Sequence, residues 1–477
     1  MRPPVPGESI PDPAVSSPVP GADAADERWA WPFEDGGPRR WGCAPGGLGL
    51  GADEHLVVVA HRDAYATDLL ARRGPGELYA LRRRLPRGDV FAGSASGCVE
   101  RLDPGSLAVV ARSPQLPGGR YWPGGVNPHP AGDLIAVLGS WAHRLDAGDC
   151  TLLASHRLPG DLPHNSFVIH PSGAVVTKSC DAPEGREPSV LSVLDPVTLL
   201  PVAAPLRLAE PCIARLALDP DGQIVVVGST TVLRITFDPA TARLRIDERW
   251  QPRFATEPTH SFGWDPVVTD THVLWMDNGR AAADTSFLGA GRSPGAVRLW
   301  RAQLDDAASA CGVEVSGLPY GTQSNPPAWD PVAGQVIAFD AAHGVLRAWR
   351  LEDDELVATW TRRGFAHASH LVVYPETREL VATDWHEPAL RRRPPVRRVL
   401  TPVLRRAAGV AAARRAAGQF ARDDLVVLDL DTGRDRGRVR VASPVQGYLF
   451  PAPGFGRDVY YQSLSTIARV AVVGARG

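Results

Sequence analysis

The chain reads His164-Asn-Ser-Phe-Val-Ile-His-Pro-Ser-Gly173, then Ala174-Val-Val-Thr-Lys178, then Val190-Leu-Ser-Val-Leu-Asp-Pro-Val-Thr198, then a last apolar stretch from Leu200 to Leu208. Four short runs rich in Val, Leu and Ile are separated by Pro-Ser-Gly and Asp-Pro-Val-Thr, both of which are turn chemistry. Runs this short and β-branched, broken by Gly and Pro every few residues, read as strands, because a helix would need a longer run with apolar residues spaced by 3.6.

The same order of strand and turn returns on both sides of this stretch. Ile213 to Gly222 leads to Gln223-Ile-Val-Val-Val-Gly228 and Val232-Leu-Arg-Ile-Thr-Phe-Asp-Pro-Ala-Thr241. Ala328-Trp-Asp-Pro-Val-Ala-Gly334 leads to Gln335-Val-Ile-Ala-Phe-Asp340 and Val345-Leu-Arg-Ala-Trp-Arg-Leu351. Further copies start near residues 77, 122, 259, 368 and 446. A four-stranded unit cannot bury both of its apolar faces alone, so the units must stack, and a period of about forty residues predicts a closed ring of blades. The fold expected is all-β, a single β-propeller of seven blades, with six or eight also fitting the repeat. The last unit, Gly447 to Val473, stops after three strands, and the strand from His55 to Ala60 would complete it and remove the exposed edges.

Composition bounds what such a ring does. An apolar fraction of 44% and a charged fraction of 22% are those of a globular protein with a large core. The net charge of −2 predicts no nucleic-acid partner, which would require a basic domain. The six cysteines, Cys43, Cys98, Cys150, Cys180, Cys212 and Cys311, show no CxxC spacing and read as small buried hydrophobes, not a metal or redox centre. Residues 1–27 are rich in Pro, Ala and Ser, predicting a disordered tail before a propeller domain over 28–477. The N-terminus lacks the apolar stretch of a secretory signal, and no apolar run is long enough to span a bilayer, so a cytoplasmic location is expected.

In a propeller the residues that open each innermost strand converge at the axis. Here they include His164-Asn165-Ser166, His260-Ser261, Ser324-Asn325 and Ser369-His370. Imidazoles gathered in this way can act as nucleophile, as general acid and base or as metal ligands, and the residues alone do not choose among these roles. His164, His260 and His370 are the catalytic candidates, with Asn165, Ser261, Asn325 and Trp264 as substrate-binding candidates, no metal ligand set assigned and the cofactor unknown. Loop histidines bonded to backbone are the plain alternative. Lys178 is the only lysine among 51 basic residues and reads as a solvated strand end, a catalytic amine or anion contact being the sharper alternative. Trp264, Trp275, Trp300, Trp329 and Trp349 would either pack between blades or stack an aromatic substrate.

The D-x-x-T-G turn from Asp429 to Gly433 and the stretch from Ala338 to Trp349 resemble the quinoprotein and YVTN-type propeller superfamily. The axial histidines resemble those of arylsulfate sulfotransferases, which implies transfer of a sulfuryl group through a histidine, although no arginine can be assigned to the axis from sequence. Thr259-His-Ser-Phe-Gly263 with Val273-Leu-Trp-Met-Asp277 resembles a histidine strand of carotenoid oxygenases, which implies an axial iron, with His129 as a fourth ligand. An insertion over 388–422 carries ten arginines, and Thr401-Pro402 and Gly418 predict a helix over 402–417. Its 391–415 stretch would meet a membrane surface peripherally, or an acidic partner. The functional expectation is thus a propeller, enzyme or not, acting on a small aromatic or anionic substrate at its axis. The alternatives are a non-catalytic binding or scaffold propeller and an iron-dependent oxygenase. Sequence leaves the oligomeric state open.

Overall fold

The computed structural model describes residues 31, 34–64, 66–84, 94–181, 185–255, 262–277, 295–322, 325–365, 370–386, 422–443, 451–463 and 465–474. Over these the chain forms eight antiparallel sheets, each a blade of four strands, the first blade with one strand added. The innermost strands of blades 1 to 8 are Thr67–Arg72, Gly125–Pro128, His164–Ile169, Leu216–Leu218, Val267–Val268, Ala328–Asp330, Val372–Tyr374 and Ala452–Pro453. Apolar clusters fill the seams between neighbours. One joins Val168, Val176 and Val193 of blade 3 to Leu218, Val226 and Ile235 of blade 4, and the largest joins blades 7, 8 and 1 through Val427, Tyr460 and Leu70. The ring is therefore continuous, and its core lies between blades, as stacking of two-faced units requires.

The blade number is eight, not the favoured seven. The unit starting near 77 is a whole blade once its innermost strand, Thr67–Arg72, is included, and that strand lacks the Pro-x-Gly turn that marks the other copies. The C-terminal unit is also whole, because Glu54–Asp63 pairs antiparallel with Thr466–Gly474 from Glu54↔Gly474 to Asp63↔Thr466. The expected closure through the N-terminal region is present. Residues 1–27, expected to be a disordered tail, lie outside the described residues, as does the expected insertion over 388–422 except for Arg422, which belongs to the strand Arg422–Asp429.

The D-x-x-T turns explain how apolar residues tolerate a strained backbone. Asp195 accepts from the backbone N–H of Val197 and Thr198 and from the Thr198 hydroxyl, and the next residue, Leu199, sits at φ 61°. Leu107 at φ 62° and Cys150 at φ 61° end the equivalent turns of blades 1 and 2. Left-handed backbone costs roughly 1–2 kcal/mol for an L-residue, and all three side chains are fully buried in seam clusters, which offsets that cost. Such turns lie on the lower face. The strand ends Arg84 and Ser94, Met276 and Arg298, and His386 and Arg422 lie at the upper face, where each innermost strand begins.

Candidate functional site

The axis is lined by the chain's own N-terminal segment. Between residues 38 and 44 this segment lies along the free edges of four innermost strands. Leu218 donates its N–H to Pro38 O (2.8 Å), Val268 to Arg39 O (2.9 Å), Trp329 to Trp41 O (2.8 Å) and Val373 to Gly42 O (2.6 Å). The carbonyl of Val373 in turn accepts from Ala44 N (2.9 Å). On the lower face the Glu379 carboxylate accepts from the N–H groups of Leu48, Gly49 and Leu50, at 2.8–2.9 Å. An open row of strand N–H groups facing a channel would need water or a ligand, and here it is satisfied by backbone. Gly36 makes the preceding reversal: its φ is 90°, and a Cβ there would lie 2.8 Å from Cys43 O.

The reversal lifts Glu34, Asp35 and Arg40 into a buried ring of charge. Arg40 donates to Leu216 O (2.6 Å), Glu34 (2.9 Å) and Asp35 (3.1 Å), with Asp265 at 3.8 Å. Arg215, opening blade 4, meets Asp265 (3.3 Å) and Glu34 (3.2 Å). Ser166 of blade 3 donates to Glu34, His370 of blade 7 donates through Nδ1 to Asp35, and Arg83 pairs with Asp68 in blade 1. Consecutive residues Glu34 and Asp35 thus connect opposite sides of the ring. Burial would raise the Asp265 carboxyl, but Arg215, then Arg40, outweigh it and hold it below the ordinary value. Asp68 is driven upward by burial, which the single Arg83 only partly opposes. Arg215 and Arg40 are the axial arginines that sequence could not assign. The legible signal was an Arg among apolar residues in Ile213-Ala-Arg-Leu-Ala-Leu218.

The predicted histidines do not form one cluster among the described residues. His164 is fully buried and bonds through Nδ1 to the Thr177 hydroxyl (3.1 Å), which itself donates to Ser166 O (2.7 Å). The Thr177 oxygen therefore accepts from the ring, so the proton is on Nδ1 and Nε2 carries the lone pair. Burial, and next the neighbouring Lys178, lowers His164 to about 3. His164 also bridges Gly139 of blade 2, which places it at the seam between blades 2 and 3, whereas His370 stands at the axis on Asp35. His260 and Ser261 lie outside the described residues. His129 ends the innermost strand of blade 2 on the lower face, bonded to Gly173 O and Ala131 N, away from the mouth where an axial iron would need it. Among the described residues no group of three or more His, Cys, Asp or Glu is arranged to hold a metal. Asn325 is buried where blade 6 opens. Of the cysteines, Cys150, Cys180 and Cys212 are buried as expected, whereas Cys311 is exposed on an outer strand.

Lys178 is not a solvated strand end; its side chain is completely buried. The β alternation of Val176, Lys178 and Cys180 directs it into the seam with blade 4, where Nζ donates to Cys212 O and, at 3.5 Å, to Asn165 Oδ1. Asn165 is held in turn by donating to Ile213 O (2.6 Å). Above this amine, Trp122, Cys180, Ile213 and Trp264 form one buried cluster with Phe262 packed against it. Four blades contribute to this aromatic mouth. The indole N–H of Trp264 is buried there with no acceptor, and Lys178 has no carboxylate within ion-pair distance among the described residues. Burial lowers the Lys178 amine below its ordinary value. Trp275 and Trp300 instead stack on each other in the core of the blade 4 and 5 seam, a packing role.

No family model matches the sequence, and no curated protein sequence matches it. Solved structures do match the fold. The quinohemoprotein alcohol dehydrogenase of Comamonas testosteroni aligns with a TM-score of 0.57 at 11% identity, over 95% of this chain and 82% of that one. BamB from Moraxella catarrhalis aligns with a TM-score of 0.51 at 13% identity, over 87% and 99%. A europium-containing methanol dehydrogenase aligns with a TM-score of 0.55 at 8% identity, over 92% and 98%. The chain has the propeller fold these proteins share, in keeping with the quinoprotein resemblance of its blades. At such identities the likeness concerns fold alone.

Proposed function

We propose that the protein binds a small aromatic molecule carrying an anionic or carbonyl oxygen at the upper mouth of its axis. One observation carries this reading: the Trp264 indole N–H is buried without an acceptor, in an aromatic cluster that adjoins the buried Lys178 amine. Burying a donor without a partner costs about 1–3 kcal/mol, so such a site favours a ligand that supplies the acceptor. No helix among the described residues is long and apolar enough to cross a membrane.

The finer reading is chemistry at His370. Asp35 orients the ring through Nδ1, so any reaction runs through Nε2, an arrangement suited to a nucleophile or base. On the sulfotransferase resemblance, Nε2 would attack the sulfur of an aryl sulfate, the S–O bond to the aryl group would break, and the phenolate would leave towards the donors of the mouth. His164 is less suited, because the burial that keeps its Nε2 unprotonated also makes it a weak base. A non-catalytic binding propeller is the second reading, favoured by the segment that occupies the lower axis.

Salicylate titrated calorimetrically into the full chain tests the binding. Saturable 1:1 binding, weakened about tenfold or more by Trp264→Phe, is expected; equal affinity in the variant would refute the site. Release of para-nitrophenol from para-nitrophenyl sulfate in the presence of phenol, lost in His370→Ala, would establish the transferase. Binding without turnover would select the non-catalytic reading.

A further inference from the structure

We propose that Lys178 is a covalent site: its amine forms an imine with an aromatic aldehyde or ketone held in the mouth. The inference rests on the upper mouth being the ligand site, and it adds the class of ligand and the bond formed.

Geometry carries it. Nζ lies wholly inside the protein, held by one backbone carbonyl and one amide oxygen, both neutral, and the nearby Cys180 and Ile213 belong to the buried cluster of Trp122 and Trp264 against which Phe262 packs. An ammonium here would be a buried charge with no carboxylate within ion-pair distance among the described residues, which costs several kcal/mol, whereas a neutral amine costs far less. Burial, the largest influence, lowers the amine below its ordinary value, although Cys180, Cys212 and Asp265 act the other way. The neutral amine keeps a lone pair, and its two acceptors occupy its two hydrogens. Composition points the same way. Fifty of the 51 basic residues are arginine, and a guanidinium cannot shed its proton to become a nucleophile, so this is the one basic position where arginine could not replace the chemistry.

The step balances without a further reactant. The lone pair of Nζ adds to the carbonyl carbon, and proton transfer from nitrogen to oxygen gives a carbinolamine. Its hydroxyl leaves with the remaining N–H hydrogen as water, forming the C=N bond. The Trp264 N–H is the donor that can hold the carbonyl oxygen during addition.

Salicylaldehyde with sodium cyanoborohydride on the full chain is the test, read by intact mass and peptide mapping. Hydride reduces the C=N bond to a stable secondary amine. Because the chain has a single lysine, only Lys178 and the N-terminal amine can be labelled. One hydroxybenzyl group on Lys178 of the folded protein is expected, formed at least about tenfold faster than on the N-terminal amine at pH 7. It should vanish in Lys178→Arg. Labelling of the N-terminus alone, or of Lys178 only after denaturation, overturns the proposal. Salicylate, which cannot form the imine, separates the two claims: salicylate binding without the adduct refutes the covalent site and leaves the ligand site standing. An adduct on Lys178 without salicylate binding supports the covalent site and refutes the anionic form of the ligand.

Discussion

The two nitrogens of His164 have different fates, set by a single hydroxyl. Thr177 spends its hydrogen on Ser166 O and so must accept from Nδ1, which places the lone pair on Nε2. With its value lowered to about 3 by burial, and next by Lys178, the ring stays neutral in the folded protein while the unfolded chain titrates near 6.5. The unfolded state therefore takes up a proton as pH falls below about 6.5 and the folded state does not, so this histidine's contribution to stability is full above that pH and declines towards pH 3. Nitrogen-15 NMR should show the Nδ1–H tautomer unchanged between pH 7 and about pH 4.5; a midpoint near 6.5 in the folded protein would refute the buried assignment. Residues at this scale were legible in position but not in role. His164, Asn165 and His370 stand where strands open, as the repeat requires. Lys178 was misjudged because the polar Ser179-Cys180-Asp181 that follows it looks like solvent, whereas the aromatic cluster above it is assembled from other blades.

Residues 34–50 act as an element without being a strand or a helix. Their backbone hydrogen-bonds to the innermost strands of four blades, once each at Leu218, Val268 and Trp329 and twice at Val373, and their side chains supply two of the acids and one of the cations in the axial ring. Breaking a buried ion pair by removing one partner costs about 3–5 kcal/mol, because it leaves the other charge uncompensated. Arg40→Met should destabilise the protein by roughly that amount in urea unfolding, since it removes the cation that Glu34 and Asp35 share and leaves them only Arg215 and His370. A loss below about 1 kcal/mol would contradict a stabilising role for the buried ion pairs of Arg40. Nothing in the local pattern announces this element. The stretch lacks the alternation of a strand, and Glu34, Asp35 and Arg40 look like surface residues until the axis is known.

For the whole molecule, closure matters more than any one blade. Val57 pairs with Ala471 in the strand that joins the two ends of the chain, whereas Val110 is the skipped, exposed residue of a bulge on the outer edge of blade 1. Proline removes a ladder donor in the first place and is tolerated in the second. Val57→Pro should lower the melting temperature by several degrees and Val110→Pro by far less; equal effects would contradict closure through the first strand. The ring and the closing strand were both readable from the repeat, because stacking of two-faced units admits few solutions. The count of eight was obscured by a first blade without its turn signature and a last blade shared between the termini.

The central claim is that the aromatic mouth above Lys178 is a binding site, and a crystal structure of the full chain grown with salicylate tests it most directly. The expected result is the carboxylate within hydrogen-bond distance of the Trp264 indole nitrogen and Lys178 Nζ, with its ring against Trp122 or Phe262. A mouth without salicylate, in which a protein acceptor satisfies the Trp264 N–H, would contradict it.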